Sequence, residues 1–273
     1  GTLEFLYGRN TDGRGDQVTQ FFWPASANYI ADQPHVAHVI SGHSYFTTCP
    51  DNTLVTVRQQ LASKVNQVDP SLQVWQTEFG ILGDVCGVYN GSPRNTTIDY
   101  GLYVAKVLHH DLAIANVTSW QWWLAMSPYN YSDALVYLND PSGNINVDNC
   151  KSDGMVLGSK QLWAYGNFAR FIRPGMKRVM ASVTGSEDPL TAANSLMVSA
   201  YKDEARQKIV IVMVNVGGDD RVLKLDSDAL KIKGTHFNAY TTDTSQDLKR
   251  SVMDAADIRI KAKSVVTLEA SYQ

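Results

Sequence analysis

Apolar positions in the first 170 residues recur at two alternating spacings. Residues 36–46 read as a strand, and Leu54, Val57, Leu61 and Val65 then fall on one face of a helix. Residues 72–79 are again strand-like. A Gly-rich loop follows, and Ile98, Leu102, Ala105 and Leu112 mark a longer helix. Residues 117–125 form a third apolar strand, and Ser159 is positioned to cap a helix carrying Leu162, Tyr165, Ala169 and Ile172. Strands alternating with amphipathic helices predict parallel βα units.

The pattern changes at Arg173-Pro174-Gly175. Beyond it no helical period outlasts a turn or two, and strands are predicted over 177–184, 196–202, 208–216, 221–225, 235–241 and 258–268. Short strands separated by Gly-Gly, Asp-Asp and Lys-Gly turns predict an antiparallel β-sandwich. The expected organisation is therefore α/β over 1–172 and all-β over 173–273.

Composition narrows the function classes. The chain has 273 residues, 44% hydrophobic and 19% charged, which excludes a disordered segment. A net charge of -3 with no basic stripe argues against nucleic acid as a partner. No apolar run reaches the roughly 18 residues of a membrane helix, and the longest candidate, 208–217, fits a buried strand better. Three cysteines (Cys49, Cys86, Cys150) have no zinc-ligand spacing; one disulfide plus a free thiol and three reduced thiols both remain open. No metal or other cofactor is expected. Sequons at Asn90, Asn95, Asn116 and Asn130, with the aromatic content, lead us to expect a secreted protein. A chain starting at Gly1 without a leader reads as a processed or partial form.

Only 5 Glu occur, so glutamate chemistry has few candidates. Glu78 ends an apolar strand in Trp75-Gln76-Thr77-Glu78-Phe79-Gly80, where a carboxylate is costly without a role or a partner. His43 and Tyr45, at the end of the preceding strand, share a face by alternation, and Tyr45 is a candidate donor to Glu78. Ser119-Trp120-Gln121-Trp122-Trp123 concentrates three indoles; alternation puts Gln121 and Trp123 on one face, with Trp123 as a sugar-stacking platform. Dinucleotide, P-loop, zinc-protease and serine-hydrolase motifs do not occur.

These segments resemble glycoside hydrolase family 30. The similarity is carried by Gly42-His43-Ser44-Tyr45, Trp75-Gln76-Thr77-Glu78, Ser119-Trp120-Gln121-Trp122-Trp123, the run from Lys160-Gln161-Leu162-Trp163 to Arg173-Pro174-Gly175, and the ending Lys261-Ala262-Lys263-Ser264-Val265-Val266-Thr267-Leu268. The resemblance implies the C-terminal part of a (β/α)8 TIM barrel, strands six to eight, followed by an antiparallel β-sandwich. It implies a retaining glycosidase using two glutamates, with Glu78 the nucleophile, Tyr45 its hydrogen-bond partner, and His43, Gln121 and Trp123 lining the substrate subsite. The family's acid/base glutamate follows an Asn, and this chain has no Asn-Glu pair; Glu4, Glu187, Glu204 and Glu269 are unsuitably located. A whole barrel alone needs about 250 residues, so strands one to five are expected on a missing N-terminal half. The implied substrate is an oligo- or polysaccharide. The wording around 101–107 is most similar to the endo-β-1,6-galactanase group, with β-1,6-glucan and xylan as alternatives. A non-catalytic carbohydrate-binding protein and the inert half of a split enzyme are the competing readings.

Overall fold

In the computed structural model, three parallel strands form the first sheet: β1 (Val39–His43), β2 (Gln73–Phe79) and β3 (Ser119–Trp122), in that order across it. The structure describes residues 15–151, 153–226 and 231–273. The chain is a mixed α/β protein with several sheets and few helices, and it divides into two units. The first comprises the described residues up to 92 together with 110–125; the second comprises 93–109 and the described residues from 126 onward.

In the first unit, α1 (Gln17–Phe22) precedes β1 and α2 (Asp51–Val68) joins β1 to β2. The crossover to β3 runs through α3 (Ile98–Ala113). The strand read over 36–46 is therefore shorter, because the chain leaves the sheet after His43 and Phe46 turns it with a φ of 62°. The buried face of α2 also differs from the reading. It is Leu54, Val55, Arg58 and Leu61, with a fully buried arginine where Val57 was expected to contribute.

That arginine is the polar centre of the unit. Arg58 Nε donates to Asp111 Oδ1 at 2.8 Å, and both side chains have no exposure. Arg58 Nη1 donates to the carbonyls of Thr47 (2.8 Å) and Leu54 (3.2 Å). Trp120 Nε1 donates to Asp111 Oδ2 at 2.7 Å. One carboxylate at the end of α3 thereby holds α2 and β3. A buried pair of this kind is tolerated only because each charge is neutralised and hydrogen-bonded.

Strand β4 (Leu124–Ser127), which runs across the division at residue 125, begins a sheet with β5 (Ala134–Asn139) and β6 (Met155–Gly158), in that order. The single strand expected over 117–125 is thus two strands in two sheets, with a break at Trp123. Helix α4 (Lys160–Ala169) starts where expected, with Ser159 Oγ accepting from Leu162 N at 3.1 Å. Gly101 in α3 is required here, because a Cβ on it would lie 2.7 Å from the Lys160 carbonyl.

The remaining residues build a six-stranded sheet, with the short helix α5 (Pro189–Ala193) leading into its strand β8. The strands are β7 (Lys177–Val179), β8 (Leu196–Asp203), β9 (Lys208–Asn215), β11 (His236–Thr242), β12 (Lys249–Asp254) and β14 (Ser264–Ser271), ordered β12-β11-β14-β9-β8-β7 with antiparallel pairing throughout. Strands β10 (Arg221–Leu223) and β13 (Ile258–Ile260) pair separately. Strand β12 escaped the sequence reading, because its residues are nearly all exposed and show no apolar alternation. The strand expected over 258–268 is divided by a turn at Lys263, whose φ is 52°. Strand β9 is buried on both faces, which explains its continuous apolar run. Asn167 of α4 is fully buried and anchors the helix to this sheet. Its Nδ2 donates to Tyr240 O (3.0 Å) and Thr267 Oγ1 (2.9 Å), and Thr267 Oγ1 donates back to Asn167 O (2.6 Å).

The Arg58–Asp111 pair generates a stability prediction. Arg58→Met keeps the bulk of the side chain but strips the Asp111 carboxylate of its charged partner, and urea unfolding should show a loss of about 3–5 kcal/mol. A loss below about 1 kcal/mol, the range of ordinary surface changes, would refute the central role of this pair.

Candidate active site

Glu78 owes its orientation to one extra residue in β2. Along that strand Val74 and Gln76 are buried, and strict alternation would bury position 78 next. Instead Phe79 is buried and Glu78 is partly exposed. The register shows the cause. Gln76 pairs with Trp120 and Phe79 with Trp122, three steps against two, while Gly42 pairs with Gln76 and His43 with Glu78. This β-bulge turns the carboxylate off the buried face, a use of bulges known beside functional sites. It also leaves a backbone N–H outside the ladder. Glu78 N donates instead to Gln76 Oε1 at 3.1 Å; leaving such a donor unpaired in the interior costs about 1–3 kcal/mol.

The structure brings three of the sequence-predicted residues together at Glu78. Tyr45 OH donates to Glu78 Oε1 at 3.1 Å, and His43 Nε2 lies 4.0 Å from Glu78 Oε2. The Tyr45 ring is held edge-on by His43 (5.9 Å between centroids) and stacked on Phe79 (5.7 Å), so its hydroxyl has little freedom to move.

Trp123 follows β3 immediately, with its N–H donating to Phe79 O at 2.8 Å. Gly80 lets it approach, since a Cβ there would lie 3.3 Å from Trp123 Cβ. Trp123 is 47% exposed. Gln121 is exposed too, while its neighbour Trp120 is buried, as alternation expected. Cys49 and Cys86 form a disulfide that joins the segments following β1 and β2, and Cys150 is a free thiol.

Two residues escaped the sequence reading. Phe46, between the buried Tyr45 and Thr47, is 66% exposed in a left-handed backbone conformation, which costs a bulky side chain about 1–2 kcal/mol. No sequence signal marks it, because aromatic residues there read as strand. Gln76 did carry a signal: it is a polar residue two positions after Val74, on the face that the structure buries.

None of the other described glutamates matches Glu78. Glu204 hydrogen-bonds Lys202 and Lys177, which push its pKa down to about 2, so it stays ionised at neutral pH and has no proton to give. Glu187 accepts from Gly185 N, and Glu269 lies 3.6 Å from Lys208 Nζ. Glu4 lies outside the described residues. Among the described residues, no group of three or more His, Cys, Asp or Glu side chains is arranged to hold a metal, and no helix is long and apolar enough to cross a membrane.

Residues 1–137 match the family model O-Glycosyl hydrolase family 30. Among solved structures, a conserved exported protein from Bacteroides fragilis is 26% identical, with a TM-score of 0.86 over 97% of this chain and 53% of that one. A GH30 endoxylanase from Clostridium papyrosolvens (20% identical, TM-score 0.58, 85% of this chain and 48% of that one) shares the fold. So does GH30 xylanase C from Talaromyces cellulolyticus (22% identical, TM-score 0.56, 81% and 50%). The chain spans about half the length of these proteins. The match over half its residues establishes that the chain belongs to O-glycosyl hydrolase family 30.

Proposed function

We propose that this chain is the nucleophile-bearing part of a retaining glycosidase. The observation that carries the reading is Glu78, turned off the buried face by a bulge and held by Tyr45. In this scheme the Glu78 carboxylate attacks the anomeric carbon as the bond to the leaving oxygen breaks. An acid outside this chain protonates that oxygen, and water then cleaves the glycosyl ester. His43, Gln121 and Trp123 line the subsite of the cleaved sugar, and Phe46 extends it. Strands β1, β2 and β3 are read as strands six to eight of a (β/α)8 barrel over 1–172, and residues 173–273 as a β-sandwich. A second polypeptide portion supplies the remaining strands and the acid. The proposed substrate is a plant-type β-1,6-galactan cleaved internally, with xylan the alternative suggested by the two xylanases of the same fold. Secretion is supported by the exported B. fragilis protein and by the disulfide, which persists in oxidising compartments.

An activated aryl 2-deoxy-2-fluoro-β-galactoside tests the nucleophile, since its leaving group departs without a proton. This chain should accumulate one adduct on the peptide holding Glu78. Glu78→Gln should show none, and in the enzyme that contains this chain it should lower hydrolysis at least ~10³-fold with folding intact. An adduct elsewhere, or near-normal hydrolysis by Glu78→Gln, would overturn the assignment.

Phe46 offers a second test. Asn tolerates the left-handed conformation, so Phe46→Asn should raise the melting midpoint by about 2–4 °C per kcal/mol of strain released. The same change should weaken oligosaccharide binding several-fold by calorimetry. A variant no more stable than wild type, with unaltered affinity, would deny Phe46 a strained functional role.

A further inference from the structure

The bulge at Glu78 is held by a chain of buried hydrogen bonds whose direction is set from one end. Asp111 is the origin: its carboxylate receives Arg58 Nε and Trp120 Nε1. Ser44 Oγ, fully buried, lies 3.4 Å from Asp111 Oδ2 and donates its proton there. Having given its proton to the carboxylate, Ser44 Oγ accepts from its other side, and Gln76 Nε2 donates to it at 2.6 Å. The Gln76 amide, also fully buried, is thereby locked with its oxygen towards Glu78, where Oε1 accepts the bulge N–H at 3.1 Å. Each link has one sense only, because a carboxylate accepts and cannot donate to the hydroxyl, and an amide NH2 donates and cannot accept from it.

We infer that Gln76 is a positioning residue for Glu78, oriented through Ser44 by the Asp111–Arg58 pair. Gln76 touches the backbone of Glu78 and not its carboxylate, so it acts through geometry. The side-chain amide replaces the ladder partner that the bulge removes, and it holds the strand in the one register that aims Glu78 at Tyr45. This inference rests on the reading of Glu78 as nucleophile for its functional consequence, but the positioning itself is a property of the fold.

Gln76→Met keeps the length and bulk of the side chain and removes both hydrogen-bonding roles. Ser44→Ala leaves Gln76 in place but takes away the acceptor that orients it, and serves if Gln76→Met fails to fold. The wild-type chain and each variant are compared by two measurements. The first is hydrogen exchange of the Glu78 amide in protein labelled with 15N-glutamate, in which the 5 glutamates give few peaks and Glu269, in the paired strand β14, reports opening elsewhere in the fold. The second is the rate of adduct formation on Glu78 with the fluoro-galactoside. Gln76→Met should speed exchange of the Glu78 amide at least tenfold, with the other glutamate amides unchanged, and slow labelling at least tenfold. Ser44→Ala should move both in the same direction by less. Unchanged exchange at Glu78 in a folded variant, or a change shared equally by all glutamate amides, overturns the inference. If neither the wild-type chain nor the enzyme that contains it is labelled at Glu78 by the fluoro-galactoside or the matching fluoro-xyloside, the nucleophile reading fails by itself, and amide exchange alone decides whether Gln76 holds the bulge.

Discussion

The first unit is organised around a carboxylate with no access to water. Asp111 accepts from Arg58 on α2 and Trp120 on β3, and Ser44 beyond β1 leans on the same group. A buried charge without partners would cost several kcal/mol, so these three segments have one arrangement in which Asp111 is satisfied. That arrangement fixes more than stability. It sets which way a serine hydroxyl and a glutamine amide face, and the amide in turn closes the bulge beneath Glu78. The exposed carboxylate and the buried one are therefore linked parts of one polar framework.

Aromatic packing completes that framework. Tyr45 rests on Phe79, and Phe79 contacts Trp120 (5.7 Å) and Trp122 (6.1 Å), so the rings form a continuous layer behind the candidate site. Two of the three clustered indoles thus serve packing: Trp120 gives its N–H to Asp111 and Trp122 packs on Phe79. Trp123 is the one left half exposed, and Phe46 is turned outward by a strained backbone.

Much of this was legible in the chain. The βα alternation, the Ser159 cap, the doubly buried strand β9 and the pairing of Tyr45 with Glu78 follow from spacing and residue type, because local periodicity and hydrogen-bonding capacity are written in neighbouring positions. Other features were hidden for identifiable reasons. The apolar run over 117–125 hides the change of sheet at Trp123, since both strands are apolar. Strand β12 is exposed and lacks alternation. Arg58 carries no local signal of burial, because its partner lies 53 residues away.

Sequence by itself pointed to the family, to a glutamate at a strand end and to the aromatic residues near it, because these depend on which side chains follow one another along a strand. Tertiary structure decided where that glutamate points. Strict alternation would have buried Glu78, and only pairing with β1 and β3 reveals the added residue that turns it outward. It likewise decided which cysteines join, which of the three clustered tryptophans stays exposed, and why a glutamine belongs on a buried face. Each of these depends on a partner distant in the chain, and a hydrogen bond or a disulfide is defined by distance in space.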